Sequence, residues 1–175
     1  TNLAELTRQL EQRGAIFQSS TNSEAILHMM AQKSHMQPID ALVDALKKLE
    51  GSYAIAVLLE DSLVAARDPY GFKPLVIGER GGTYYAASES CALDIVGAKL
   101  LRDVEPGEIV VIGAKGVKSL RVRQERCGRC MHCAFEYVYT ARPDSIIDGR
   151  SVYEARKEMG RRLARKSPCG EADLA

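Results

Sequence analysis

The sequence predicts an α+β protein with layered sheets, and three features of the chain lead to that prediction. Residues 1–50 carry apolar side chains at helical spacing, whereas residues 51–122 alternate short apolar runs with turn residues. A further amphipathic pattern follows at 152–163. The run at 52–59 is almost uniformly apolar, which predicts a strand buried on both faces and therefore layers above and below it.

Size and composition are those of an ordinary globular protein. The chain has 175 residues, of which 46% are hydrophobic and 27% are charged. The net charge of +1 excludes a general electrostatic attraction to nucleic acid or to an anionic membrane. Because the sequence contains no apolar run of membrane-spanning length and no signal pattern, we expect a cytoplasmic protein. Five cysteines in a reducing compartment favour metal or redox chemistry over disulfides.

Three helices are predicted before the first long apolar strand. The first carries a leucine stripe and ends at Gly14, and a short strand is predicted at 15–18. Thr21 and Glu24 have the spacing of a capping box, which marks the start of the second helix. Pro38 suits the first turn of the third helix. The predicted helix ranges are 1–13, 21–33 and 38–49.

Strand pairs and one short helix are predicted as far as residue 122. Ser88 or Ser90 can cap the short helix, and 102–107 is predicted to be a turn. Pro69 and Gly71 break the sheet after its second strand, which predicts a shaped loop at a sheet end, where functional groups often lie. The predicted strands are 52–59, 63–66, 75–78, 83–87, 108–112 and 117–122; the short helix is 92–95 and the last helix is 152–163.

The sharpest local pattern is a group of three cysteines with two-residue gaps, Cys127, Cys130 and Cys133. Such gaps allow neighbouring sulfurs to converge on a zinc ion or an iron–sulfur cluster. A fourth ligand is usually needed, and His132 and Cys169 are the obvious local choices. Ordinary surface thiols in a loop would give the same spacing, so both interpretations stay open.

Other chemically suggestive residues have plainer explanations. His28 is interpreted as a histidine packed on its helix, and the basic residues at 156–166 as a solvated helix face. An N-terminal threonine can act as a nucleophile, but Thr1 precedes a leucine-striped helix, where Thr1 or Asn2 is expected to be its cap. We therefore do not assign catalysis to Thr1.

Five motifs, in this order along the chain, together resemble the amidophosphoribosyltransferase family. The segment at 133–145 is the most specific of them, because it separates this chain from other class II glutamine amidotransferases. The resemblance extends over nearly the whole sequence. The motifs are RDPYGFKPL at 67–75, ASESCALD at 87–94, RDVEPGE at 102–108, CAFEYVYTARPDS at 133–145 and DGRSVYEAR at 148–156.

The resemblance implies a four-layer αββα sandwich of the N-terminal-nucleophile hydrolase type. Residues 1–150 would be part of a type 2 glutamine amidotransferase domain, without its first strands. Residues 151–175 would be a linker helix leading toward a phosphoribosyltransferase domain. The family hydrolyses glutamine and transfers the ammonia to phosphoribosyl pyrophosphate, giving 5-phosphoribosylamine in the first committed step of purine synthesis.

The resemblance also implies partners and site residues. Asn22 lies where the family has an aspartate that binds the α-amino group of the substrate. Cys133 lies where many bacterial relatives have a ligand of a [4Fe–4S] cluster, and Cys127 and Cys130 are further candidates. Glutamine and phosphoribosyl pyrophosphate with magnesium are the implied substrates. We also expect an oligomer of identical chains and no binding to nucleic acid or membrane.

Two family elements are missing from the sequence. The nucleophilic cysteine before a Gly-Ile strand and the His-Asn-Gly-Asn-Leu motif are both absent. No catalytic residue is therefore assigned to this chain, and we expect it to be an internal piece of the enzyme that is inactive in isolation. The alternative hypotheses are a stand-alone iron–sulfur or zinc module on a borrowed scaffold, and an inert structural domain.

Overall fold

The computed structural model describes residues 2–122 and 130–170. The chain divides into two compact units. The first unit comprises Thr1–Phe72 and Glu105–Cys130, and the second comprises Lys73–Val104 and Met131–Ala175. The domain boundary at residue 150, which the sequence resemblance implies, stays a prediction.

Five α-helices, nine strands and one π-helix are present in the part of the chain that the structure describes. In chain order they are α1 (Leu3–Gln12), α2 (Asn22–Ala31), α3 (Pro38–Lys48), β1 (Ala54–Leu58), β2 (Ser62–Arg67), β3 (Val76–Arg80), β4 (Thr83–Ala87), α4 (Ser90–Ile95), β5 (Lys99–Asp103), β6 (Glu108–Gly113), β7 (Gly116–Arg121), the π-helix (Glu136–Thr140), β8 (Ile146–Ile147), β9 (Arg150–Ser151) and α5 (Val152–Lys166).

The first unit is a helix layer packed on a four-stranded antiparallel sheet with the order β1-β2-β6-β7. Apolar residues of α2 and α3 meet alternate residues of the strands, as the spacing of their sequences predicts. Leu42 and Leu46 of α3 and Val64 and Ile109 of the sheet are 0–1% exposed. This core fixes the N-terminus of α2 relative to the start of β1.

The first apolar strand is less buried than its sequence predicts. β1 lies at an edge of the sheet, where Ile55 and Val57 pack against the core while Leu58 is 83% exposed. The prediction of burial on both faces is wrong for β1 because uniform apolarity does not reveal which strand is central. β2 pairs with both β1 and β6, and five of its six residues are buried.

The second unit contains a three-stranded antiparallel sheet with the order β4-β3-β5. Helix α4 packs on it through Leu93, and a Cβ atom at Gly78 would lie only 2.7 Å from a Leu93 methyl carbon. A glycine in β3 therefore permits close approach of this helix. The hairpin of β8 and β9, the π-helix and α5 complete the unit around Ala141, Ile147 and Val152.

Several local predictions need correction. Residues 15–18 form no strand, because their backbone pairs with no strand among the described residues and Ile16 is 81% exposed. Residues 102 and 103 belong to β5, which pairs with β3, so the predicted turn is confined to 104–107. Glu89, rather than a serine, precedes α4 as its cap residue. The π-helix and the β8–β9 hairpin were not predicted.

The caps of α1 and α2 also differ from expectation. Asn2 occupies the cap position of α1 but makes no side-chain capping bond, and Thr21 precedes α2 in the same way. Thr1 lies outside the described residues. No helix in the described ranges is long and apolar enough to cross a membrane. The prediction of an α+β fold is confirmed by this mixture of helices and antiparallel sheets.

Candidate functional site

A cavity of about 130 Å³ opens in the first unit beside the start of α2. Its walls come from α1, from the first turns of α2, and from the segment that joins α3 to β1. Most of the cavity surface is apolar. Its polar side chains come from the start of α2 and from the segment between α3 and β1. The lining residues are Leu3, Asn22, Ser23, Ile26, Leu49, Glu50, Ser52, Tyr53 and Ile55.

The loop that leads into α2 is held by the carboxylate of Glu24. This carboxylate accepts hydrogen bonds from the backbone N–H groups of Gln18 (2.7 Å) and Ser19 (2.9 Å) and from Ser19 Oγ (2.6 Å). The Ser19 hydroxyl and the Gln18 amide lower the pKa of Glu24 because they stabilise its charged form. The predicted capping box is thus replaced by a bridge to residues further upstream.

Asn22 is the first residue of α2 and lines the cavity. Its side chain is exposed and makes no hydrogen bond within the described part of the chain. The amide can therefore interact with a ligand without losing an internal partner.

The opposite wall of the cavity is the short segment between α3 and β1. The side-chain amide of Asn2 donates to the carbonyl of Lys48 (2.8 Å) and accepts from the backbone N–H of Glu50 (2.9 Å). Leu49 is buried, and Gly51 has a φ of +108°, a value that glycine adopts more readily than other residues. These contacts fix the position of Glu50, which the sequence analysis did not single out.

The loop after β2 is organised by an aspartate that is fully buried. Asp68 accepts hydrogen bonds from the backbone N–H groups of Tyr70 (2.8 Å), Phe72 (3.1 Å) and Tyr53 (3.4 Å). The adjacent Arg67 is 1% exposed and donates to the carbonyl of Gly71 (3.0 Å). Both charged side chains point into the protein, so this motif shapes the loop instead of presenting its charges to solvent.

Two motifs of the second unit bind each other. The carboxylate of Glu89 accepts from the backbone N–H of Arg142 (2.8 Å) and from the hydroxyl of Ser145 (2.7 Å). Ser90 Oγ accepts from the backbone N–H of Ile146 (2.8 Å). The motifs at 87–94 and 133–145 are therefore partners in one hydrogen-bond network.

Arg156 of α5 closes the π-helix. Its guanidinium donates to the carbonyls of Tyr137 and Ala141, each at 2.7 Å, and so satisfies acceptors at the end of a helix. The hydroxyl of Tyr137 donates to the carbonyl of Ile147 (2.8 Å). The motifs at 133–145 and 148–156 are joined by these bonds.

The cysteines do not form a ligand cage in the described residues. In residues 2–122 and 130–170, no group of three or more His, Cys, Asp or Glu side chains is placed to hold a metal. Cys130 and Cys169 are exposed, Cys133 is half-buried, and Cys127 lies outside the described residues. Cys130 Sγ would lie 3.1 Å from a Cβ atom at Gly71, so this thiol packs against the loop after β2.

The surroundings of Cys133 are polar. His132 Nδ1 lies 2.7 Å from the carboxylate of Asp148, so this histidine is directed at a carboxylate. The carbonyl of Cys133 accepts from the backbone N–H of Glu136 (3.1 Å), whose carboxylate binds Lys73 Nζ at 2.5 Å. This hydrogen bond raises the pKa of Lys73. An ion pair thus braces the segment that carries the Cys133 thiol.

Solved structures and curated sequences resemble this chain over nearly its full length. The structure titled glutamine phosphoribosylpyrophosphate (PRPP) amidotransferase from B. subtilis complexed with ADP and GMP has a TM-score of 0.91 and 42% identity, covering 96% of this chain and 36% of that one. A structure titled the allosteric regulatory enzyme of purine biosynthesis gives a TM-score of 0.90 at 42% identity, with the same coverage of both chains. These likenesses define the class, an α+β fold of the N-terminal-nucleophile hydrolase type, as predicted.

The family model described as Glutamine amidotransferase domain matches residues 1–94, more than half of the sequence, so the chain belongs to that family. Amidophosphoribosyltransferases from Rhizobium etli and Bacillus subtilis are each 43% identical to it, over 177 and 173 residues. Each alignment covers 99% of this chain but only 36% of the relative. Within the family, the chain corresponds to the glutaminase part of amidophosphoribosyltransferases.

Proposed function

We propose that this chain belongs to the part of an amidophosphoribosyltransferase that binds and hydrolyses glutamine. The ammonia would pass to phosphoribosyl pyrophosphate, bound with magnesium elsewhere in the full-length protein, and displace pyrophosphate to give 5-phosphoribosylamine. The observation that carries the proposal is the placement of Asn22 at the start of α2 on the wall of a cavity. The sequence resemblance assigns binding of the substrate amino group to this position.

The proposed contact is a hydrogen bond from the α-ammonium of glutamine to the amide oxygen of Asn22. A neutral acceptor makes a weaker bond to an ammonium than a carboxylate does, roughly 1 kcal/mol against 1.5–3 kcal/mol. Leu3, Ile26 and Ile55 supply apolar surface in the same cavity, which suits the methylene groups of an amino-acid side chain.

The test is to assay the full-length protein for glutamate release and for phosphoribosylamine formation from glutamine. Absence of both activities in a folded preparation would refute the proposed function. Asn22→Asp should lower the KM for glutamine about two- to tenfold, because it introduces a charge-assisted hydrogen bond. Synthesis from added ammonia, which does not use glutamine, provides the reference rate.

A matched control separates ligand binding from helix stabilisation. An acidic residue at a helix N-terminus stabilises the helix by itself, typically by about 0.3–1 kcal/mol. Gln37→Asp places the same charge at the N-terminus of α3, where Gln37 is exposed and does not line the cavity. It should leave the KM for glutamine unchanged. An equal fall in KM for both variants would remove Asn22 from the binding site.

For the 175-residue chain by itself we propose no release of ammonia from glutamine. Its sequence contains neither a cysteine before a Gly-Ile strand nor a His-Asn-Gly-Asn motif. Loss of a single oxyanion donor typically lowers a rate by about 10²–10³, and here the nucleophile is missing as well. Glutamate formation above a buffer blank, from protein free of contaminating glutaminase, would disprove this.

We also propose Cys133 as one ligand of an iron–sulfur cluster in the full-length protein. Its thiol is half-buried and forms no disulfide, so it is available to bind a metal. The described residues offer no group of three or more ligands, so Cys133 would supply one ligand of a larger set. Cysteine thiolates are the usual ligands of such clusters. The remaining sulfurs would come from elsewhere, with Cys127 and Cys130 as the candidates within this chain.

The cluster proposal is tested on full-length protein purified without oxygen, by iron content and visible absorbance. Cys133→Ser should abolish the broad brown absorbance, whereas Cys169→Ser should retain it. Cys127→Ser should also retain it if Cys133 alone binds from this segment. A colourless, iron-free wild-type protein would exclude the cluster and leave these thiols as loop residues.

A further inference from the structure

We infer that Glu50 supplies the negative charge that Asn22 lacks, and so determines the specificity of the cavity for a substrate with an ammonium group. The inference rests on the proposed function and extends it to a residue outside every motif that the sequence analysis singled out. Glu50 and Asn22 line the same cavity of about 130 Å³, from two different chain segments. A ligand held between them would contact a neutral amide on one side and a carboxylate on the other.

The charge of the cavity wall comes from Glu50. Among the described residues that line it, Glu50 is the one that is charged at neutral pH. Its carboxylate forms no ion pair or hydrogen bond within the described part of the chain. A cationic group entering the cavity therefore meets an uncompensated negative charge, whereas an anionic group is repelled.

The backbone around Glu50 is fixed, which distinguishes it from an ordinary surface glutamate. The Asn2 amide binds residues 48 and 50 at 2.8 and 2.9 Å, and the preceding Leu49 is 5% exposed. The following Gly51 turns the chain into β1 with a positive φ. The carboxylate is thus attached to a rigid segment and pays little conformational entropy at its backbone when it binds a ligand.

A second small cavity, of about 140 Å³, also borders the same segment. It is lined by Leu49, Glu50, Gly51, Pro69 and Tyr70, and therefore shares Glu50 with the first. Asn22 lines only the first cavity. The coupling between Glu50 and Asn22 therefore tells which cavity the carboxylate serves.

The experiment compares glutamine with glutaramate, the analogue that lacks the α-amino group, in wild-type and Glu50→Gln full-length protein. The variant should raise the KM for glutamine about two- to fivefold, the range measured for partly exposed ion pairs. The inhibition constant of glutaramate should not rise, because this analogue has no ammonium group for the carboxylate to attract. Added salt should raise the wild-type KM more than that of the variant, because salt screens the interaction.

Two further variants make the result specific. Glu60→Gln removes an exposed carboxylate after the opposite end of β1, outside the cavity, and should leave both constants unchanged. Asn22→Asp should lower the KM by a larger factor in Glu50→Gln than in the wild type, because it replaces a missing charge in the variant but adds a second charge in the wild type.

The outcomes separate the two proposals. Glutamine hydrolysis with an unchanged KM in Glu50→Gln would overturn the inference and leave the proposed function intact. An equal effect on glutamine and glutaramate would also overturn it, since the carboxylate would then not act on the ammonium. An equal factor for Asn22→Asp in the two backgrounds would show that the two residues act independently, and would overturn the inference. Absence of any glutamine hydrolysis in the wild type would overturn both proposals.

Discussion

Two regions of the first unit use polar residues in opposite ways. In the loop after β2, Asp68 and Arg67 are at most 1% exposed and bind the backbone of their own loop. At the cavity beside α2, Asn22 and Glu50 are exposed and their side chains have no hydrogen-bond partner among the described residues. The first region is closed by its own hydrogen bonds, and the second is open to a ligand.

The contrast shows that a diagnostic motif need not be a binding motif. The most recognisable residues of this chain, at 67–75, 87–94 and 133–145, form networks that hold loops and short helices in place. Where a side chain bonds to the backbone of its own protein, replacing that side chain lowers the stability of the fold. We expect substitutions in the closed region to lower stability, and substitutions in the open region to alter binding.

Asp68→Ala should have the largest effect of these substitutions on stability. It would leave the backbone N–H groups of Tyr70 and Phe72 without the buried carboxylate that accepts their hydrogen bonds, in a loop that is itself partly buried. An unsatisfied buried donor costs about 1–3 kcal/mol, so the free energy of unfolding should fall by about 3–5 kcal/mol. Urea denaturation measures this change.

Asp61→Ala is the control for Asp68, because Asp61 is exposed in the turn between β1 and β2. Within residues 2–122 and 130–170, its carboxylate accepts a hydrogen bond only from the neighbouring Ser62 hydroxyl, at 3.1 Å. The expected loss is below about 1 kcal/mol. If Asp68→Ala and Asp61→Ala lower the free energy of unfolding equally, the burial of Asp68 does not account for its contribution to stability.

Gly71→Ala should have the second-largest effect, about 2–4 kcal/mol, since two costs combine there. Gly71 has a φ of +66°, and an added Cβ atom would lie 2.8 Å from Cγ of Pro106. Gly81 has a similar φ of +57°, and apart from its chain neighbours no described residue has an atom within 4 Å of its Cβ position. Gly81→Ala should therefore show only the backbone cost, about 1–2 kcal/mol. Equal losses in the two variants would mean that the loop yields to the added methyl group.

The smallest effect concerns the network that supports Asn22. The pKa of Glu24 is lowered in the folded protein, chiefly by the Ser19 hydroxyl and the Gln18 amide. A depressed pKa contributes stability above the ordinary value of 4.5, and this contribution is lost as the pH falls through the lower folded value. The difference in unfolding free energy between wild type and Glu24→Gln should therefore be constant at neutral pH and decrease below about pH 4.5.

The control for this pH dependence is Glu11→Gln on α1, an exposed residue outside the Glu24 network. Urea denaturation at a series of pH values gives both differences. A Glu24 difference that stays the same from neutral to acidic pH would show that the charge of Glu24 does not stabilise this loop.

Much of the fold was predictable because it depends on local patterns. The spacing of apolar residues identified all five α-helices of the described residues, and the turn residues identified six of the nine strands. β5 was missed because its sequence, KLLRD, is short and half polar, and it becomes a strand only by pairing with β3. Pairing between distant segments is not encoded in the periodicity of one segment.

The candidate site was predictable only in part. Asn22 was found through a motif, and its place at the start of a helix follows from the residues around it. Glu50 has no motif, and its position depends on the amide of Asn2, which is distant in sequence. Thr21 and Glu24 have the spacing of a capping box, yet the carboxylate binds Gln18 and Ser19 instead. Spacing predicts which groups are available, whereas tertiary packing decides which of them pair.

The π-helix determines the directions in which the aromatic side chains of this segment point. The backbone N–H of Ala141 reaches the carbonyl of Glu136, so the turn contains one residue more than an α-helical turn. In this phase the Tyr137 hydroxyl reaches Ile147, while Phe135 and Tyr139 are 59% and 76% exposed with their ring centroids 5.4 Å apart. Removing one residue would return the turn to α-helical geometry and rotate the side chains beyond it by about 100°. The length of this short segment thus decides which aromatic side chain faces inward and which two form the exposed pair.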